Sequence, residues 1–188
     1  MINFKDKSGR DINVRQLEVQ DSEKLLQYYK KTSHIINMNE RFSGILTEDA
    51  VREHIEASRK DSEKCLFLAI ETAGEIIGFI RFDRLEGAFC KSAEISFGLL
   101  YDYWKNNILE IAISELVKFV FIHFDLARIF YENYSRNLGA GYILLDCGFK
   151  KDGILRSCAY NSGVMSDATI FSLLFSEVSL TEKAKITR

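Results

Sequence analysis

The chain has 188 residues, is 47% hydrophobic and 28% charged, and carries a formal net charge of -2. That is enough for one well-buried core, and no Gly/Ser-rich or charge-rich linker divides it, so one domain is expected over residues 1–188. Lys and Arg are interleaved with Asp and Glu apart from short basic ends such as 183–188, which removes any general pull toward nucleic acid and leaves 181–188 as a flexible, solvated tail.

Residues 1–10 are polar and lack an apolar signal core, so export is not expected. A reducing cytoplasm suits Cys65, Cys90, Cys147 and Cys158, which form no CxxC pair and share no metal-ligand spacing with His34, His54 or His123. They read as buried free thiols, and no metal is expected. Residues 11–18 alternate Ile12, Val14 and, less cleanly, Leu17 against polar neighbours as a strand, and Asp21 and Ser22 then offer an N-cap for a helix through Lys31. An irregular segment, 33–46, is long for a connector, and long loops in compact domains carry function. Thr47 caps a second helix with Val51 and Ile55 on one face. Residues 66–72 and 75–82 read as a hairpin through Ala73-Gly74, and 92–100 as a third strand of the meander.

The apolar run 108–124 is interrupted by Glu110, Glu115 and Lys118. It reads as a buried helix packed on the sheet rather than a membrane span. A short strand at 128–131 follows, then a helix over 137–147 stopped by Gly148, then a terminal hairpin of 149–160 and 164–175 through Asn161-Ser162-Gly163. Early clustered strands followed by alternating strand and helix predict an α+β domain with a mixed, mostly antiparallel sheet flanked by helices. The apolar stretch 170–174 offers an edge that a homodimer would bury.

Four segments in order carry a resemblance. They are Ala93-Glu94-Ile95-Ser96-Phe97-Gly98-Leu99-Leu100; Tyr103-Trp104-Lys105-Asn106-Asn107-Ile108-Leu109-Glu110; Asn137 with Gly148-Phe149 behind it; and Gly153-Ile154-Leu155-Arg156 followed by Asn161, Gly163 and Asp167. Together they resemble the RimJ/RimL-like branch of the GNAT N-acetyltransferases, over the second half of the chain directly and over the rest by element order. The resemblance implies an enzyme that uses acetyl-CoA to acetylate a primary amine, either a protein N-terminus or a small molecule. The alternative is a non-catalytic module of the same fold.

The resemblance also implies roles. Residues 103–109 occupy the place of a Trp followed by Gly-x-Gly at a helix start, where converging N–H groups and the helix dipole hold a pyrophosphate. Lys105, Asn106 and Asn107 stand in that loop, with no glycine among them, and Asn tolerates the left-handed conformation better than most residues. Read simply as residues, Asn106 and Asn107 are a turn and helix cap, and a lone Trp104 is a core anchor. Ile108 and Leu109 complete the cofactor loop. Strand 92–100 is expected to pair with the pantetheine arm, bulged near 98–100, with Leu99 and Leu100 toward the cofactor. Asn137 would bond the pantetheine amides or cap its helix.

Glu94 is the candidate base, or else a structural ion-pair residue. The position where many such enzymes carry an acidic Tyr, five before Phe149, is Leu144. Tyr142 lies on a different helical face and is a second, weaker candidate that would also touch the cofactor. Ala140 replaces the family's Ser and Asp146 a frequently basic residue. Met38, Arg41, Phe42 and Tyr160 fall where this fold builds its acceptor pocket. Gly139-Ala140-Gly141 starts like a dinucleotide fingerprint but fails at Leu144, where the third glycine belongs.

Overall fold

The computed structural model describes residues 2–36, 47–85, 91–134, 138–161 and 164–178. Eight strands form one sheet: β1 Ile2–Lys5, β2 Asp11–Gln16, β3 Cys65–Thr72, β4 Glu75–Arg84, β5 Ser92–Leu99, β6 Arg128–Tyr134, β7 Lys150–Asn161 and β8 Val164–Leu174. Their order is β1-β2-β3-β4-β5-β6-β8-β7. Every neighbouring pair is antiparallel except β5 with β6, which are parallel. Four helices flank the sheet: α1 Ser22–Ile36, α2 Glu48–Lys60, α3 Ile108–His123 and α4 Leu138–Asp146. This is the mixed α+β architecture expected from the alternation and capping signals. Among the described residues no helix is long and apolar enough to cross a membrane.

Local chemistry accounts for most boundaries. Thr47 accepts a hydrogen bond from the Ala50 N–H and opens α2. Ala73 and Gly74 both take left-handed φ, 49° and 81°, closing a tight hairpin between Thr72 and Glu75. Two apolar layers follow from the strand alternation. Ile12, Val14, Ile77, Ile95 and Leu99 pack with α3 on one face, while Phe67, Ala69 and Phe79 pack with Leu25, Tyr29, Val51 and Ile55 of α1 and α2 on the other.

Several expectations are corrected. The polar N-terminus contributes β1, held by pairing with β2. Helix α1 runs to Ile36, five residues past the expected end, and takes up the first part of the segment read as irregular. Asp21 does not cap α1. It bonds the Glu18 N–H and receives Arg15 at 2.6 and 2.8 Å. The stretch 170–174 lies in β8, paired with β6 throughout and with β7 over 170–172, so β7 and not this stretch forms the edge on that side of the sheet. Of the cysteines expected to be buried, Cys65 is buried, Cys147 half-buried and Cys158 exposed, and all three are free. Cys90 and the tail 181–188 lie outside the described residues.

Candidate functional site

The parallel pairing of β5 and β6 is short. It registers Ser92 with Arg128, Ala93 with Ile129 and Glu94 with Phe130, and stops there, although β5 continues to Leu99 and β6 to Tyr134. Beyond Glu94 and Phe130 the two strands part, leaving a wedge in the middle of the sheet. On the β4 side β5 stays paired without a register shift from Ala93 to Leu99. The bulge expected near 98–100 is therefore absent, and the wedge arises from lost pairing on the opposite side.

Strand geometry dictates what lines this wedge. The Leu100 N–H bonds the Ile77 carbonyl and the Leu85 N–H the Ser92 carbonyl. The even-numbered residues of β5 thus bond β4, and alternation turns the backbone of Phe97 and the N–H of Leu99 toward the wedge. Phe97 and Tyr131 stack across it, ring centroids 5.2 Å apart at 27°, giving an aromatic floor on the α3 side. On the α1 side, Gly98 must lack a side chain: a Cβ there would meet the Tyr28 hydroxyl at 2.4 Å and Phe79 at 2.9 Å.

The wide end of the wedge leads to residues 103–109. Lys105 and Asn107 both have left-handed φ, 63° and 57°. The two positions at which the resemblance expects glycine thus keep a backbone conformation natural to glycine, although neither residue is one. Asn107 precedes α3 without a side-chain cap bond. The first N–H groups of α3 accordingly lack the intrahelical acceptors that later ones have. Asn106 spends its side chain on the Tyr103 and Trp104 carbonyls, at 3.3 and 3.0 Å, which holds the turn. Ile108 and Leu109 are buried in the core and fix the helix start. Lys105 is exposed and makes no ion pair among the described residues.

Trp104 is not a core anchor. It is 45% exposed, and its indole N–H donates to the Leu99 carbonyl at 2.9 Å, tying the turn to the end of β5. Leu99 is buried; Leu100, half-buried, touches both apolar layers. Glu94 is half-buried at the closed end of the wedge, on the α1/α2 face, opposite Asp83 of β4. Tyr142 is 69% exposed on α4, whereas Leu144 is fully buried. Tyr160 is 61% exposed on β7. Met38, Arg41, Phe42 and Asn137 lie outside the described residues. A separate depression of about 490 Å³, lined by Phe4, Asp11, Asn13 and Thr72 among others, lies at the β1–β2–β3 edge, away from the wedge.

Near Glu94 the same face carries a half-buried polar network. Arg81 forks onto Asp83 and contacts His54 Nε2 at 2.6 Å. Burial, reinforced by the Arg81 charge, holds the His54 pKa down at about 4, so the ring is neutral near pH 7. Burial also pushes the Cys65 thiol up to about 12.

Sequence reasoning missed four residues, two in the β1–β2 turn and two on β6. The β1–β2 turn reaches the cofactor-type loop: the Lys7 N–H bonds the Asn106 carbonyl at 3.3 Å, and the Arg10 guanidinium lies 4.5 Å from the Tyr103 ring centroid. Glu132 and Tyr134 line the β6 side of the wedge, hydrogen-bonded at 2.9 Å. The latter pair had one visible signal, the two-residue spacing that places both on one face of a strand, but the strand was read as ending at 131.

A sheet parted between two parallel central strands, with a left-handed turn and helix start at its wide end, forms a cleft suited to an extended ligand that carries an anion. Residues 11–150 match the GNAT acetyltransferase domain model, and the chain belongs to that family. It is 31% identical over 100 residues to the uncharacterized N-acetyltransferase YoaA of Bacillus subtilis, a match that spans 53% of this chain and 56% of that relative. It is 27% identical to the probable N-acetyltransferase YjcK of the same organism, across 88% of this chain and 95% of the relative. Among solved structures, RimJ of Mycobacterium smegmatis in complex with CoA-disulfide superposes with a TM-score of 0.83 at 16% identity, covering 95% of this chain and 88% of that one.

Proposed function

We propose that this chain is an N-acetyltransferase that moves the acetyl group of acetyl-CoA to a primary amine on a protein N-terminus or a small molecule. The observation that carries this reading is the wedge between β5 and β6, which leads from Glu94 to a turn whose left-handed Lys105 and Asn107 open α3. The stretch from Glu94 to Leu99 covers five strand steps, roughly 17 Å. That suits an extended pantetheine arm, which would bond the exposed backbone edge of Phe97 and Leu99. RimJ, which shares the fold, was solved with a CoA moiety.

In this reading the pyrophosphate sits on the N–H groups at 105–109, where the helix dipole favours an anion. Lys105 adds a cation. Trp104, Asn106, Ile108 and Leu109 hold that backbone in place, Leu99 and Leu100 face the arm, Tyr142 flanks it from the α4 side, and Asn137 is the proposed partner of the pantetheine amides. The acceptor enters from the α1/α2 face, and Met38, Arg41, Phe42 and Tyr160 are the residues proposed to recognise it. Glu94 takes a proton from the incoming ammonium, because only the neutral amine attacks a thioester.

CoA and acetyl-CoA at millimolar concentration should raise the melting temperature, since a ligand at a hundred times its Kd stabilises the native state by about 2.7 kcal/mol. An unchanged melting temperature counts against the reading and in favour of a GNAT-fold module without turnover, an alternative that the buried Leu144 motivates. With binding established, release of CoA thiol over a panel of amines reads catalysis. Full turnover by Glu94→Gln removes Glu94 as base.

A further inference from the structure

The α4 position at which the family resemblance expects a proton donor holds Leu144, which is fully buried. The departing thiolate needs another source. Ile129 of β6 packs in the α3 layer, and Asn133 approaches Gly141 of α4. Alternation therefore turns Phe130, Glu132 and Tyr134 to the α1/α2 face, where Glu94 also points. Glu132 and Tyr134 are both half-buried, and the Tyr134 hydroxyl donates to Glu132 Oε2 at 2.9 Å. Because Phe130 is the last residue of β6 in register with β5, Glu132 is the first side chain of this face beyond the closed end of the wedge, and Tyr134 is the next.

We propose that Glu132 and Tyr134 form a proton relay from the reacting amine to the sulfur of CoA. The proposal rests on the acetyl-CoA reading above. With the phosphates at the start of α3, the acetyl carbon lies nearest the closed end and the sulfur one step toward the wide end. Glu132 followed by Tyr134 repeats that order along β6. An ammonium acceptor has two protons to lose. Glu94 takes the first and passes it to solvent. The amine then forms its N–C bond to the acetyl carbon, and Glu132 takes the second proton as the C–S bond breaks.

Ionised, Glu132 can only accept, and it holds the Tyr134 hydrogen. Once protonated it becomes a donor to the Tyr134 oxygen, which frees the Tyr134 hydrogen to turn onto the thiolate. The acid is thus available only after the amine has reacted. One amine proton ends on sulfur and one in solvent, and both side chains return to their starting states. Among the described residues, charged groups on this face include Glu94 of β5, Arg81 and Asp83 of β4, Arg15 of β2 paired with Glu71 of β3, and Arg128 of β6 paired with Asp152 of β7 at 2.7 Å.

The test titrates the thiol of CoA bound to wild type, Tyr134→Phe and Glu132→Gln, read by the ultraviolet absorbance of the thiolate, after calorimetry has established CoA binding to each. Loss of the Glu132 charge should lower the bound thiol pKa by about one pH unit, whereas Tyr134→Phe, which lacks a hydrogen that Glu132 holds in this complex, should leave it near the wild-type value. Where an amine of the panel turns over, Tyr134→Phe should lower kcat about 100-fold with the KM for acetyl-CoA unchanged. Bound thiols that titrate alike in all three proteins overturn the relay while leaving the acetyltransferase reading intact. Failure of the wild type to bind CoA overturns both.

Discussion

Lys105 and Asn107 allow a test of the loop that needs no ligand. At an ordinary exposed position Gly is less stable than Ala by roughly 0.5–1 kcal/mol, because it loses more freedom on folding. At φ 63° an L-residue instead bears a left-handed penalty of roughly 1–2 kcal/mol. The Cβ contribution then outweighs the entropy, and the order inverts: Lys105→Gly should be more stable than Lys105→Ala by about 0.75 kcal/mol, the difference between the middles of the two ranges. Both variants lack the lysine, so its charge cancels from the comparison. For a chain of this length the gap corresponds to about 1–4 °C in melting temperature. Urea denaturation at equal slope measures it directly. The same order is expected at Asn107, φ 57°, compared as Gly against Ala. An alanine variant as stable as the glycine variant at both positions would refute a left-handed turn at 105–107.

Three further outcomes follow from particular contacts. Gly98→Ala should destabilise by about 1–3 kcal/mol, because its Cβ would meet the Tyr28 hydroxyl at 2.4 Å; Tyr28→Phe should restore part of that loss in chemical denaturation, and no rescue would exclude the clash as its cause. His54 has its pKa held at about 4 by burial and Arg81, below the ordinary value of 6.5. The unfolded chain therefore binds a proton first as the pH falls, so stability is lost from pH 6.5 down to about 4, and His54→Gln should flatten that part of a stability-against-pH curve. For Asp6, burial pushes the pKa up, but hydrogen bonds from Ser8 and Arg10 outweigh it and bring it down to about 2. Its contribution is complete above the ordinary carboxylate range and disappears between about pH 4 and 2, so Asp6→Asn should lower stability at pH 7 and reduce the acid-side slope measured by denaturation in that interval.

Elements whose causes lie within a few residues were legible in the chain. The alternation of Ile12 and Val14, the Thr47 cap, the Ala73-Gly74 turn and the interrupted apolar run that became α3 each depend on local backbone preference and side-chain period. The strand at residues 2–5 was missed although Ile2 and Phe4 alternate with Asn3 and Lys5 and pack on the core: four residues are a weak local signal, and pairing with β2 holds the strand. The end of β6 was missed for the same reason: its last residues face a wedge and β8, and their burial depends on neighbours distant in sequence.

At the candidate site the division is sharper. The sequence by itself placed Trp104, Lys105 and Asn107 before a buried helix and Glu94 on a central strand, since a family pattern is a linear order of residue types. Only the tertiary structure decided that Lys105 and Asn107 take the left-handed conformation, and that Trp104 bonds the Leu99 carbonyl instead of filling the core. It also decided that β5 and β6 part after Glu94 and Phe130 and bring Glu132 and Tyr134 to the gap. Strand parting is a property of a pair of strands more than thirty residues apart in sequence, whose backbone groups bond or separate according to what packs above and below them. No local propensity encodes that choice.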